Sequence, residues 1–239
     1  DANPQNPHHP PRRVTFGQES TDEMATLTLQ LVTADLGARR LLAEANLRRD
    51  LDKVGYDAHL LCHLTGLLRE MDRNGEALGV IEQVRRREPA NAEALAEYGM
   101  CLLVAGRLGE AETALVEAVM LDPGQNLARM QLASMLAKGG RTGEAIVLFE
   151  EALRLAPYNA SLHNNLATAC FAENRLAAAE AHYLRCVELD AQHFAAWFNL
   201  GRVQAALGNK TAARQALLRA QALRPDEVVV GQELQALDR

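Results

Sequence analysis

Small and large apolar residues recur along this chain with a period of 34. Let the units begin at Ala58, Ala92, Asn126, Ala160 and Phe194. The seventh place is then always large and apolar: Leu64, Tyr98, Leu132, Leu166, Leu200. The eighth is always small: Thr65, Gly99, Ala133, Ala167, Gly201. The twentieth is alanine every time, at Ala77, Ala111, Ala145, Ala179 and Ala213. The twenty-fourth is bulky (Ile81, Leu115, Phe149, Tyr183, Leu217) and the twenty-seventh small or medium (Val84, Ala118, Ala152, Cys186, Ala220). Two antiparallel helices approach closely only where both carry small residues, and bulky neighbours fill the space on either side. The eighth and twentieth places therefore predict the contact line of a helix pair, repeated five times.

Turn signals fall between the apolar places. Asp72, Gly106, Gly140, Asn174 and Gly208 separate the two helices of each unit, and these residue types tolerate the left-handed backbone that ends a helix. The thirty-second place is Pro89, Pro123, Pro157 and Pro225, with Ala191 the exception. Proline cannot continue a helix yet suits the start of the next. A constant period without insertion or deletion is the signature of a solenoid, and a generic helical bundle does not need one. After Pro225 the pattern resembles the first helix of a sixth unit, with Leu234 at the seventh place but Gln235 where a small residue would stand. Residues 228–239 are expected to form a capping helix, because nothing stacks on a terminal repeat.

Trp197, Leu200, Gly201, Gly208, Ala213, Ala220 and Pro225 match, within one unit, the pattern of the tetratricopeptide repeat family. The resemblance covers residues 58–225. It implies an all-α fold: a right-handed α-solenoid of five helix pairs (58–91, 92–125, 126–159, 160–193, 194–227) with the capping helix behind it. The expected role is a non-catalytic scaffold for a protein or peptide partner.

The N-terminal part differs in kind. Residues 1–13 hold Pro4, Pro7, Pro10 and Pro11, which excludes regular helix or central strand there. Leu27, Leu29 and Leu31 then alternate with Thr26, Thr28 and Gln30, the pattern of a half-buried strand. Ser20-Thr21-Asp22-Glu23 reads alternatively as a capping box opening a helix. One strand alone cannot bury its apolar face, so residues 1–32 are expected to be an extended, β-like remnant of something upstream, and a start at Asp1 suggests a processed product or fragment. Residues 33–57 read as a connector helix packing on the first repeat. Leu36, Leu41, Ala43, Leu47, Leu51 and Val54 give a partly amphipathic spacing, and acidic residues interleave with Arg39, Arg40, Arg48, Arg49 and Lys53.

The stretch from Asn3-Pro4 through Gly17 to Ser20-Thr21-Asp22-Glu23-Met24 resembles the last strand region of the copper type II, ascorbate-dependent monooxygenases, the family of peptidylglycine monooxygenase. The resemblance implies that Met24 would ligate copper in an intact domain of that kind, and that the chain is the C-terminal part of a larger enzyme. It also implies a bacterial-type extracytoplasmic location, where the repeat resemblance alone implies the cytoplasm. A thioether by itself builds no copper site, the family's histidine ligands are not in this chain, and His8 and His9 do not fit their positions. No metal site and no cofactor are expected in this chain.

Composition narrows the choice of partner. The 239 residues carry a net charge of −6 and only 4% aromatics, which excludes a basic nucleic-acid footprint and base-stacking platforms. No apolar run reaches membrane-spanning length. Cys62, Cys101, Cys170 and Cys186 form no CxxC pair and read as buried small hydrophobes. No glycine-rich phosphate loop, HExxH or GxSxG occurs, and histidines and carboxylates show no paired spacing, so catalytic residues are not expected.

In the family the first helix of each unit lines the concave face. The resemblance therefore places Met100, Leu103 and Met130 in an apolar early part of the groove, and Asn164, Asn165, Phe171, Phe198, Asn199 and Arg202 in a later, mixed part. Side-chain amides can bond a peptide main chain while aromatics and methionines hold its side chains. An extended peptide or short helix is the expected ligand. The fifth places carry no lysine, so the clamp by which some members hold a chaperone's C-terminal carboxylate is not present.

Overall fold

The computed structural model describes residues 36–237. Among them are twelve helices and no strand. A connector, α1 (Leu36–Val54), precedes five pairs: α2 (Ala58–Glu70) with α3 (Asn74–Arg87), α4 (Ala92–Val104) with α5 (Leu108–Leu121), α6 (Asn126–Lys138) with α7 (Thr142–Leu155), α8 (Ala160–Ala172) with α9 (Leu176–Leu189), and α10 (Phe194–Ala206) with α11 (Lys210–Leu223). The last helix is α12 (Val228–Leu237). Every first helix has 13 residues and every second helix 14. The expected β-like strand, Met24, His8 and His9 lie outside the described residues.

The helix ends follow from local chemistry. Asp57, Asn91 and Asn159 accept from the backbone N–H three residues on, and cap α2, α4 and α8. His193 does the same for α10 through its ring nitrogen. The second helices start after Arg73, Arg107 and Arg141, each of which grips the glutamate three residues later (Glu76, Glu110, Glu144). All five residues between paired helices adopt positive φ: Asp72, Gly106, Gly140, Asn174 and Gly208. Each is followed by a backbone bond reaching five residues back across the turn, such as Arg107 N–H to Leu102 C=O at 2.9 Å and Arg175 N–H to Cys170 C=O at 2.8 Å, the αL termination of a helix. The missing proline at Ala191 changes little, for Asp190 before it is extended (φ −138°) like the residues preceding proline elsewhere.

The pairs close on their small residues. All five twentieth-place alanines are fully buried. A Cβ on Gly99 would stand 2.7 Å from Leu115 Cγ, and one on Gly201 2.6 Å from Leu217 Cγ and 3.2 Å from the Ala213 carbonyl oxygen. The eighth, twentieth and twenty-fourth places thus meet at one point in each of these two repeats. The core is spread along the array in neighbouring clusters, the largest running from Leu95 to Ala216, as a solenoid requires.

The connector packs on α2 through Leu47 and Leu51, but Leu36, Leu41 and Val54 of its apolar stripe are exposed. Its firmest tie is polar: the buried carboxylate of Glu44 receives Arg48 from its own helix and Arg73 from the first turn between repeat helices. The Arg73 guanidinium beside Glu44 holds that carboxyl below the usual carboxylate range against the opposing effect of burial.

Candidate functional site: the first-helix groove

Successive first helices touch one another (α2 with α4, α4 with α6, α6 with α8, α8 with α10), whereas no second helix touches the next second helix. The first helices are therefore the inner layer of the curve, and their exposed sides line the groove.

Three polar centres lie along it, and two of them carry most of the residues expected for binding. In the later part, Arg202 lies over two aromatic rings from adjacent repeats, 5.4 Å from the centre of Phe171 and 5.8 Å from that of Phe198. These separations are within cation–π range, and Glu233 of α12 balances the guanidinium at 3.5 Å. Phe194 stacks near Phe198 at 6.2 Å. Beside this cluster, Asn164 and Asn165 join Ser134, Thr168, Ala169 and Phe149 around a pocket of about 340 Å³ between α6 and α8. The Thr168 hydroxyl is 2.8 Å from that of Tyr183, and burial raises the Tyr183 pKa against the lowering effects of Thr168, Arg202 and Asn199 nearby. The structure thus gathers Phe171, Phe198 and Arg202 into one cluster and Asn164, Asn165 and Asn199 around the Thr168–Tyr183 pair.

The earlier residues sit differently. Leu103 lines a second pocket of about 400 Å³ with Gln131, Ser134 and Met135. Met130 is half-buried against the core, and Met100 is 3% exposed. Met100 therefore contributes support beneath the groove.

The third centre was not singled out from the sequence. At the N-terminal end, His59 and His63 stand one turn apart on α2 with their Nε2 atoms 3.1 Å apart. Nδ1 of His59 reaches Glu93 of α4 at 3.0 Å, and Glu93 raises the His59 pKa. Close by, burial pushes the Glu97 carboxyl up to about 7, although Arg69 stands 3.3 Å away and pulls it down. A second histidine pair, His163 with His182, lies inside the fourth repeat. The expectation that histidines and carboxylates show no paired spacing is thus corrected. His59 and His63 have the i, i+4 spacing of one helix face. His59 and Glu93 are the second places of successive repeats, 34 residues apart, which the stacking of first helices makes neighbours.

All four cysteines are free and buried. Burial pushes Cys62 up to about 12 and Cys101 and Cys186 up to about 11, which marks them as inert thiols. No helix among the described residues is long and apolar enough to cross a membrane.

Models of the tetratricopeptide repeat match residues 68–135, 136–185 and 164–228, more than half of the chain. The chain belongs to the tetratricopeptide repeat family. Solved structures of similar fold include PilF of Pseudomonas aeruginosa (TM-score 0.71, 20% identity, covering 91% of this chain and 96% of that one). MamA from Desulfovibrio magneticus has a TM-score of 0.62 at 20% identity, covering 71% and 96%. YrrB, described as a repeat protein with an unusual peptide-binding site, has a TM-score of 0.62 at 19% identity, covering 78% and 96%. No curated protein matches the sequence significantly. Repeats of this family stack into extended concave binding surfaces, so the chain is a protein-interaction scaffold.

Proposed function

We propose that this chain is a non-catalytic scaffold that holds an extended peptide or short helix of a protein partner in its first-helix groove, centred on the last three repeats. The observation that carries the reading is the Phe171–Arg202–Phe198 cluster lying beside the Asn164/Asn165 pocket. Partly buried aromatics offer area for apolar side chains at little entropic cost, and amides nearby can pair with main-chain N–H and C=O groups. Arg202, 43% exposed at its side chain, adds a cation suited to a partner carboxylate. YrrB, whose structure is described as having a peptide-binding site, shows that a protein of this fold can hold a peptide.

The test is a pull-down with the full chain, followed by affinity measurement with the peptide segment mapped from the captured partner. Alanine at both Asn165 and Asn199 should weaken binding at least tenfold, and Phe198→Ala similarly, since central aromatic anchors dominate interfaces. Unchanged affinity in the Asn165/Asn199 double variant would overturn the reading.

A further inference from the structure

Two imidazole Nε2 atoms cannot stand 3.1 Å apart with a lone pair on each facing the other. Something positive must lie between them, either a proton or a metal cation. The surroundings show which nitrogen is prepared for it. Glu93 contacts Nδ1 of His59 through both carboxylate oxygens, at 3.0 and 3.1 Å. A carboxylate only accepts, so it fixes the proton of His59 on Nδ1 and leaves Nε2 as a lone pair directed at His63. A carboxylate behind a histidine whose other nitrogen is free is the arrangement that orients metal-ligating imidazoles. The ring planes cross at 78° with centroids 4.4 Å apart, which suits two donors converging on one point rather than two stacked rings.

We infer that His59 and His63 form a binding site for a divalent transition-metal ion of the zinc class, with Glu93 of the next repeat as the positioning residue. Zinc–nitrogen bonds of about 2.0–2.1 Å in tetrahedral geometry set donor atoms about 3.4 Å apart, so the two Nε2 atoms need to separate by only a few tenths of an ångström. One ligand atom from each of the three residues already lies within 4.8 Å of the others. Imidazole and carboxylate together suit zinc and its neighbours in the first transition row rather than calcium or magnesium. His59 and His63 are exposed, and a pocket of about 450 Å³ lined by His63, Glu93, Glu97 and Cys62 adjoins them, so the remaining coordination positions stay open to water or to a donor from a partner. The site links α2 to α4 and is independent of the Phe171–Phe198 end of the groove.

Zinc is titrated against a chromophoric competitor into the full chain carrying His8→Ala and His9→Ala, so that the N-terminal histidines contribute no signal. One zinc per chain is expected. His63→Ala should lower the affinity at least tenfold, and Glu93→Gln by about 10- to 100-fold. His182→Gln, at the other histidine pair, should leave binding unchanged. Equal zinc uptake by a His59→Ala/His63→Ala double variant, or no uptake by the parent, would overturn the site. Unaltered affinity in Glu93→Gln would overturn the role given to Glu93.

Discussion

Nδ1 of His163 faces Nδ1 of His182 at 3.2 Å across the fourth repeat, α8 against α9. The far nitrogen of His163 lies 3.2 Å from the Pro157 carbonyl, which can only accept, so the proton of neutral His163 sits on Nε2. Its Nδ1 is then the acceptor and His182 the donor. A proton added to His182 goes to its Nε2 and leaves this bond in place, so its cost lies in placing a cation in a partly buried site beside His163 and Arg175.

That pair makes stability depend on pH. Burial lowers the His182 pKa from its ordinary value near 6.5, the His163 ring and Arg175 lower it further, and Glu150 acts the other way. The unfolded chain therefore binds the proton more readily than the folded one. The contribution is fully present above about pH 6.5 and is lost as pH falls through the lower, folded value. Thermal melts between about pH 7.5 and 5 should show the loss. His182→Gln keeps a donor for His163 but cannot titrate, so its melting temperature should fall less on acidification. A parallel fall in both proteins would sink the assignment.

Gly201 and Gly79 should respond to alanine with opposite signs. A Cβ at Gly201 would overlap Leu217 Cγ at 2.6 Å and crowd the Ala213 carbonyl at 3.2 Å. This interface must shift to admit it, at a cost of about 1–3 kcal/mol. Gly79 lies inside α3 with nothing within 4 Å of its would-be Cβ, and Gly79→Ala should gain about 0.5–1 kcal/mol from helix propensity and a less free unfolded chain. Urea unfolding midpoints would separate the two. Equal responses would mean that the eighth place is not sterically closed.

Glu97 costs stability at high pH. Its carboxyl is pushed up to about 7 by burial, which outweighs the attraction of Arg69, and Glu93 raises it further. The folded state thus holds a proton that the unfolded state releases near 4.5. Stability declines as pH climbs through that interval and is lowest above about 7. In chelator-treated protein, Glu97→Gln should be more stable than the parent by about 1–3 kcal/mol at about pH 8, with the difference vanishing near pH 4. A variant less stable than the parent at pH 8 would show that the Arg69 ion pair dominates.

The fold was legible because its determinants are steric and periodic. Ala77, Ala111, Ala145, Ala179 and Ala213 recur at full burial on the contact line of each helix pair, and a period in residues translates directly into a period in space. The groove was legible only as a face. Met100 and Arg202 occupy the same ninth place, yet Met100 is buried and Arg202 exposed. A thioether gains by lying down on apolar neighbours, whereas a guanidinium needs water or a counter-ion. The pairing of His163 with His182 joins two helices of one repeat at a spacing of 19, which no helical period announces. His59 and Glu93 were in principle readable, since equivalent places in successive repeats become neighbours once the array is recognised.

Asp72 and Asn174 fill a turn position that is glycine in the other three repeats, at φ of 59° and 57°. A left-handed backbone crowds the Cβ of an L-residue against its own carbonyl, by roughly 1–2 kcal/mol for most side chains and less for Asn and Asp. Asn174→Gly removes the crowding but adds freedom to the unfolded chain, so it should gain no more than about 0.5–1 kcal/mol. Asn174→Val, β-branched and unable to bond its own backbone, should lose about 1–3 kcal/mol. The same two substitutions at Asp72 should follow the same order, because both residues make the same backbone link: Arg73 N–H to Leu68 C=O at 2.9 Å and Arg175 N–H to Cys170 C=O at 2.8 Å. Urea denaturation of the four variants checks this. A valine variant as stable as its parent would mean that the turn relaxes out of the left-handed region and that the inter-helix geometry does not depend on it.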